Sequence, residues 1–276
     1  MEERAYLSVI QWAEGASHDD IVHGLVAAAG IDPHQSRLIA SRGFPAVVAR
    51  IDALVAQEVV ASFRDLGVLA FAPTQHELAS FPEPFLAKRL IPEQEGVYLV
   101  EPWRGMSTVL HTRGVFQIVR ATLRTTQRQV VIDGPRQVTA SSRMMRHLGS
   151  RFFRAFHDTV GGRPGHISTR IQTTEMLDVY FRNGERIRFN ADKLSFDVLG
   201  SDRGYSDREN MTKLLAKLAA QAPQAVVDEN YASFRCPPEF IREHSNARGS
   251  RNTSEAPAFD FYSVWAYWLH AARLGG

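Results

Sequence analysis

The chain has 276 residues, 44% hydrophobic and 22% charged, a globular balance that argues against disorder and leaves room for about two domains without metal or disulfide staples. A single cysteine, Cys236, excludes an internal disulfide and a Cys-rich zinc site, and no run approaches the ~18 apolar residues of a membrane span. The net charge of +2 conceals a segregation: residues 113–170 hold eleven Arg, no Lys and only Asp133 and Asp158 as acids, for +9, which leaves −7 elsewhere.

Arginine is the default cation of this chain, 28 against four Lys. The basic window therefore reads first as habit and second as a face for an anionic partner. Residues 1–15 carry Glu2, Glu3 and Glu14 and no long apolar run, so no leader is expected and a cytoplasmic location is.

Residues 1–75 read as a small β-α-α-β-α-β module. Tyr6, Leu7, Val9 and Ile10 start it as a strand. Ser17 caps a helix with Asp19 and Asp20 in its first turn, and Gly30 stops it. Asp32-Pro33 opens a second helix that ends at Gly43, and Pro45 leads into a strand over 46–51. Asp52 caps a third helix ending near Gly67, and 68–72 closes the module as a strand. With all its contacts local, the module is expected to fold alone.

Four features carry a resemblance: Gly30-Ile31 at the first helix end, Gly43, Pro45 before a strand, and the closing Leu66-Gly67-Val68-Leu69-Ala70. On them the first quarter of the chain resembles the C-terminal domain of the bacterial ribosomal stalk protein, a fold shared with a protease adaptor. The resemblance implies that fold and a binding role. The lysine-rich helix face of the stalk domain is replaced here by His18, His23, His34 and Arg37, so its factor-binding surface is not implied.

Residues 76–96, punctuated by Pro82, Pro84 and Pro92, read as a linker. Residues 97–223 read as a β-rich module. Its clearest part is a hairpin with a two-residue type I′ turn at Asn183-Gly184. Leu177, Val179, Phe181, Ile187 and Phe189 would form its apolar face, and Asp178, Tyr180, Arg186 and Arg188 its wet one. Asp133-Gly134 signals another turn. Ser206 and Glu209 spell a capping box before an amphipathic helix bearing Met211, Leu214, Leu215 and Leu218. The fold class expected is therefore α+β: the small module plus a larger antiparallel sheet closed by one amphipathic helix, an arrangement that resembles the pleckstrin-homology-like architecture.

Residues 224–276 form a tail whose aromatic last helix (Phe261, Tyr262, Trp265, Trp268, Leu269) is expected to dock on the second module. Leu177 to Gly184, Phe234 to Pro238 and Phe259 to Ser263 resemble segments of uncharacterised bacterial proteins, which implies a bacterial origin.

The sequence has no phosphate loop, dinucleotide fingerprint, nucleophile elbow or H-E-x-x-H. No cofactor, metal or catalytic residue is expected. Cys236 with His244 could make a thiol–imidazole pair, but a structural thiol ranks ahead. Residues 143–157 alternate a Met/Phe stripe with Arg143, Arg146, Arg151 and Arg154, the candidate contacts for an anionic lipid or nucleic acid. A helix packed by that stripe with its arginines solvated is the competing reading and ranks ahead. The leading functional reading is a non-enzymatic binding or regulatory protein with a macromolecular partner. The alternatives are an anionic-surface binder and an enzyme assembled from scattered residues such as His111, His166, Glu175 and Asp178.

Overall fold

A computed structural model describes residues 3–131, 166–245 and 251–275. The protein is α+β, and its contacts divide it into two units. One comprises Met1–Arg124, Thr173–Ile241 and Glu255–Gly276; the other comprises Thr125–Gln172 and Arg242–Ser254.

In the first unit, β1 (Arg4–Gln11), α1 (His18–Ala29), α2 (Pro33–Arg42), β2 (Ala46–Asp52), α3 (Ala53–Asp65) and β3 (Leu69–Phe71) follow the order expected from sequence. Local chemistry sets the boundaries. Ser17 and Asp20 cap α1 reciprocally, and Gly30 ends it at φ 63°. Asp32 accepts from the His34 and Gln35 amides, and Asp52 from those of Leu54 and Val55. The strands form an antiparallel sheet in the order β2-β1-β3.

Six consecutive residues of β1, Ala5 to Ile10, are buried. A strand buried on both faces needs a partner on each. Leu7 and Val9 pack with Leu25, Val59 and Phe63, while Tyr6 and Ile10 join a second core with the last helix. The N-terminal module therefore shares a core with the last helix and belongs to the same unit as the main sheet.

The expected linker at 76–96 is corrected. After α4 (Gln75–Ala79), residues 85–94 form β4 (Phe85–Gln94), an interior strand. It pairs antiparallel with β5 (Val97–Pro102) and parallel with β9 (Arg186–Asn190). Pro92 is tolerated because the register shifts between Pro92 and Gln94. With β6 (Thr108–His111), β7 (Val115–Val131) and β8 (His166–Phe181), the sheet runs β7-β8-β9-β4-β5-β6. Strands β8 and β9 pair antiparallel, as do β4, β5 and β6 in turn, and the parallel β9–β4 pair joins the two sets. A short β10 (Val226–Asp228) adds parallel to β7.

Helices cover both faces of this sheet, where one was expected. Helix α5 (Asp207–Gln221) lays Met211, Leu214, Leu215 and Leu218 against Leu177, Val179, Ile187 and Phe189. Ser206 caps it, but Glu209 turns to the Tyr205 amide and Lys213, so the capping box is only half formed. Helix α6 (Ala256–Gly275) packs Phe259, Tyr262 and Ala266 with Val119, Ala121, Met176 and Tyr180 of this sheet and with Tyr6 and Ile10 of the small one. Lying between two sheets, it is buried nearly all round.

The hairpin joins β8 and β9, but its turn is not type I′. Only Gly184 has positive φ, 84°. The Gly184 amide donates to the Phe181 carbonyl and the Phe181 amide to that of Glu185. This is a type I turn closed by a glycine bulge.

In the second unit, β11 (Arg242–Ser245) and β12 (Arg251–Ser254) pair antiparallel, and β12 pairs with residues 125–128 of β7. Thr125, Thr126 and Gln127 are half-buried, and Arg128 and residues 168–172 are exposed. The described side chains here are mostly Thr, Gln, Ser and Arg, and Ile171 among them is exposed. Arg143, Arg146, Arg151 and Arg154 and the Asp133-Gly134 turn lie outside the described residues.

Candidate functional site

The residues named for a scattered active site are not brought together. His111 is exposed on β6, and the His166 side chain lies outside the described residues. Glu175 faces α5: it accepts from Arg120 Nε at 3.3 Å and from Thr122 Oγ1 at 2.7 Å. Asp178 faces α6 and is fully buried. It accepts from Arg188 Nε and Nη2, both at 2.7 Å, and from Ser263 Oγ at 2.6 Å. Arg186 stands 3.5 Å away and donates to the Tyr180 hydroxyl, leaving its own Nε without a partner. Arg188 also pairs with Asp260. Burial alone would lower the Arg188 pKa, but Asp178 and Asp260 more than offset it and hold the guanidinium charged. Burial and then Asp178 keep the Tyr180 phenol protonated. This is the face expected to be wet. Its charges pair across β8, β9 and α6, so they act as a clasp beneath the helix.

Cys236 is half-buried, its thiol aimed at the Ala258 carbonyl. Burial first and Glu239 second push it up to about 12, so it is not a thiolate at neutral pH. The His244 side chain lies outside the described residues.

The arrangement best suited to a ligand is a cleft of about 520 Å³ in the first unit. Three elements build it: the turn from α2 into β2, where the Phe44–Pro45 peptide is cis, the irregular stretch after β10, and the C-terminal half of α6. Trp265 and Tyr262 form its buried base. The indole Nε1 donates to Ser8 Oγ at 2.9 Å, and the Tyr262 hydroxyl donates to Asp228 Oδ1 at 2.6 Å. Burial and then Asp228 raise the Tyr262 pKa, so the phenol stays protonated and can donate at neutral pH. Half-buried Phe44 and Phe234 form the walls, the latter ring 4.7 Å from Trp265.

Arg42, Arg235 and Arg273 line the cleft and are exposed. None of the three has an ion pair or hydrogen bond among the described residues. Arg42 and Arg273 close the last turns of α2 and α6, where a cation offsets the helix dipole. Arg235 has no helix end to serve. The one carboxylate in the lining, Asp228, is engaged by Tyr262 and the Asn230 amide. Among the described residues the lining holds no His, Cys or Lys, and the cleft offers fixed positive charge beside aromatic surface.

Sequence reasoning missed this cleft because its three arginines are scattered over more than 200 residues. Only the aromatic run of the last helix hinted that something had to pack there. No family model, curated protein or solved structure matches the chain. No helix among the described residues is long and apolar enough to cross a membrane.

Proposed function

We propose that this is a non-enzymatic binding protein whose partner is anionic, with single-stranded nucleic acid as the class that fits the cleft best. The observation carrying this reading is the gathering of Arg42, Arg235 and Arg273, without acidic partners among the described residues, around the rings of Phe44 and Phe234. Phosphates seek guanidiniums and bases stack on aromatic faces, so a strand offers both partners at once. A volume of about 520 Å³ is in the range of small-molecule and cofactor sites. The second unit adds support: it holds eleven Arg and three acids for a net +8, while the rest of the chain carries −6. A cytoplasmic location and a protein contact through the stalk-like module belong to the same reading.

Fluorescence anisotropy with labelled oligothymidine of about 20 nucleotides tests it. Affinity should fall steeply between about 50 and about 200 mM salt as counterions are released. The triple variant Arg42→Glu, Arg235→Glu, Arg273→Glu should bind at least about tenfold more weakly with an unchanged melting temperature. Salt-insensitive binding, or a triple variant that binds like the parent, contradicts the reading. Preference for phosphatidylserine vesicles over the oligonucleotide moves the partner to a membrane.

A further inference from the structure

A second concavity, of about 560 Å³, lies where β4 begins and β5 ends, alongside the turn after β9. Its surface is unlike that of the arginine cleft. Pro84, Leu86, Pro102 and Trp103 make it largely apolar, and Arg104 and Lys193 stand at its rim. Trp103 is 54% exposed and Leu86 47%, two large apolar groups side by side at one concavity. Lys88 stands 5.2 Å from the Trp103 ring centroid and adds a third cation. Two of the chain's four lysines are thus at this groove. No carboxylate lines it, and Lys88, Lys193 and Arg104 have no ion pair among the described residues.

Apolar walls select an apolar side chain, and a rim of one sign selects the opposite charge alongside it. Prolines and an indole also form a rigid surface that loses little entropy when a chain lies on it. We infer that this groove is a docking site for an acidic peptide segment of a partner protein, one large aromatic or aliphatic side chain seated against Trp103 and its carboxylates meeting Arg104, Lys193 and Lys88. The inference does not depend on what fills the arginine cleft.

Selection from a displayed library of random peptides of about twelve residues, with the full chain as bait, tests the assignment. Enriched sequences should carry net negative charge and at least one large apolar residue. A synthetic peptide made from them should lose about tenfold or more in affinity against Trp103→Ala. It should weaken again against Arg104→Glu with Lys193→Glu, a pair exposed enough to leave the fold intact. Added salt should weaken the parent complex. Enrichment of neutral or basic peptides, unchanged affinity in Trp103→Ala, or no enrichment overturns the inference. So does a concentration-dependent dimer that Trp103→Ala abolishes, which would make a second copy the occupant. Quenching of Trp103 by laurate in the absence of peptide enrichment would assign the groove to a lipid carboxylate.

Discussion

On the α5 face of the main sheet, Leu177, Val179, Ile187 and Phe189 meet Met211, Leu214, Leu215 and Leu218 in one apolar cluster, with the buried Glu175 of that face held by Arg120 and Thr122. On the α6 face of the same hairpin, Asp178, Arg186 and Arg188 are buried as completely, yet they are held by one another and by Ser263 and Asp260. The first face is held by area and packing and tolerates small losses in proportion to the space left. The second is held by complementarity, and the loss of one partner strands the others. Alternation along a strand therefore identifies two faces without saying that the polar one is wet.

Removal of α6 should have the largest effect, since both sheets pack against it. A chain ending before Glu255 is expected to lose its cooperative thermal transition, followed by circular dichroism. Asp178→Ala comes next. It leaves Arg186 and Arg188 buried without their shared carboxylate and should cost about 3–5 kcal/mol in denaturant unfolding. Leu214→Ala on the apolar face should cost about 2–5 kcal/mol. The two can be told apart by their rescue. Replacing Asp178, Arg186 and Arg188 together with apolar residues of similar size should recover much of the first loss, whereas no charge change should recover the second. If Asp178→Ala is neutral, the clasp does not hold α6.

Gly184→Val is expected to cost about 1 kcal/mol or more, because a β-branched residue fits poorly at φ 84° and its Cβ would approach Phe81 within 3.4 Å. The smallest effect concerns His270, buried beside Phe116 with ring centroids 4.5 Å apart. Burial first, then Arg273 and Arg182, lower its pKa below 6.5. The folded chain thus binds fewer protons than the unfolded one. This contribution is fully present above about pH 6.5, is lost as pH falls through the folded value, and levels off below it. The melting-temperature difference between the parent and His270→Gln should change across that window and stay flat above it.

The N-terminal elements were legible in the sequence because their signals are local: Ser17, Asp32 and Asp52 cap helices whatever lies beyond them, and Gly30 stops one by backbone freedom alone. Gly184 was legible for the same reason, although the turn around it was assigned to the wrong type. Residues 85–94 were not legible as an interior strand, because Pro82, Pro84 and Pro92 mimic a linker and the register shift that accommodates Pro92 lies in its pairing with β5, about five residues on in sequence. The wet reading of Asp178 and Arg188 failed because nothing near them in sequence announces that α6, about 80 residues on, will cover them. The arginine cleft failed in the same way, since long-range packing alone brings Arg42, Arg235 and Arg273 to one place.

The most direct test of the proposed function is photocrosslinking of a bromouracil-substituted single strand to the full chain, read by mass spectrometry. Bases stacked in the arginine cleft should yield crosslinks at Phe44 and Phe234, and these should disappear in the Arg42→Glu, Arg235→Glu, Arg273→Glu variant. A strand that binds and crosslinks only elsewhere, or crosslinks at those two rings that survive the triple substitution, would contradict the account.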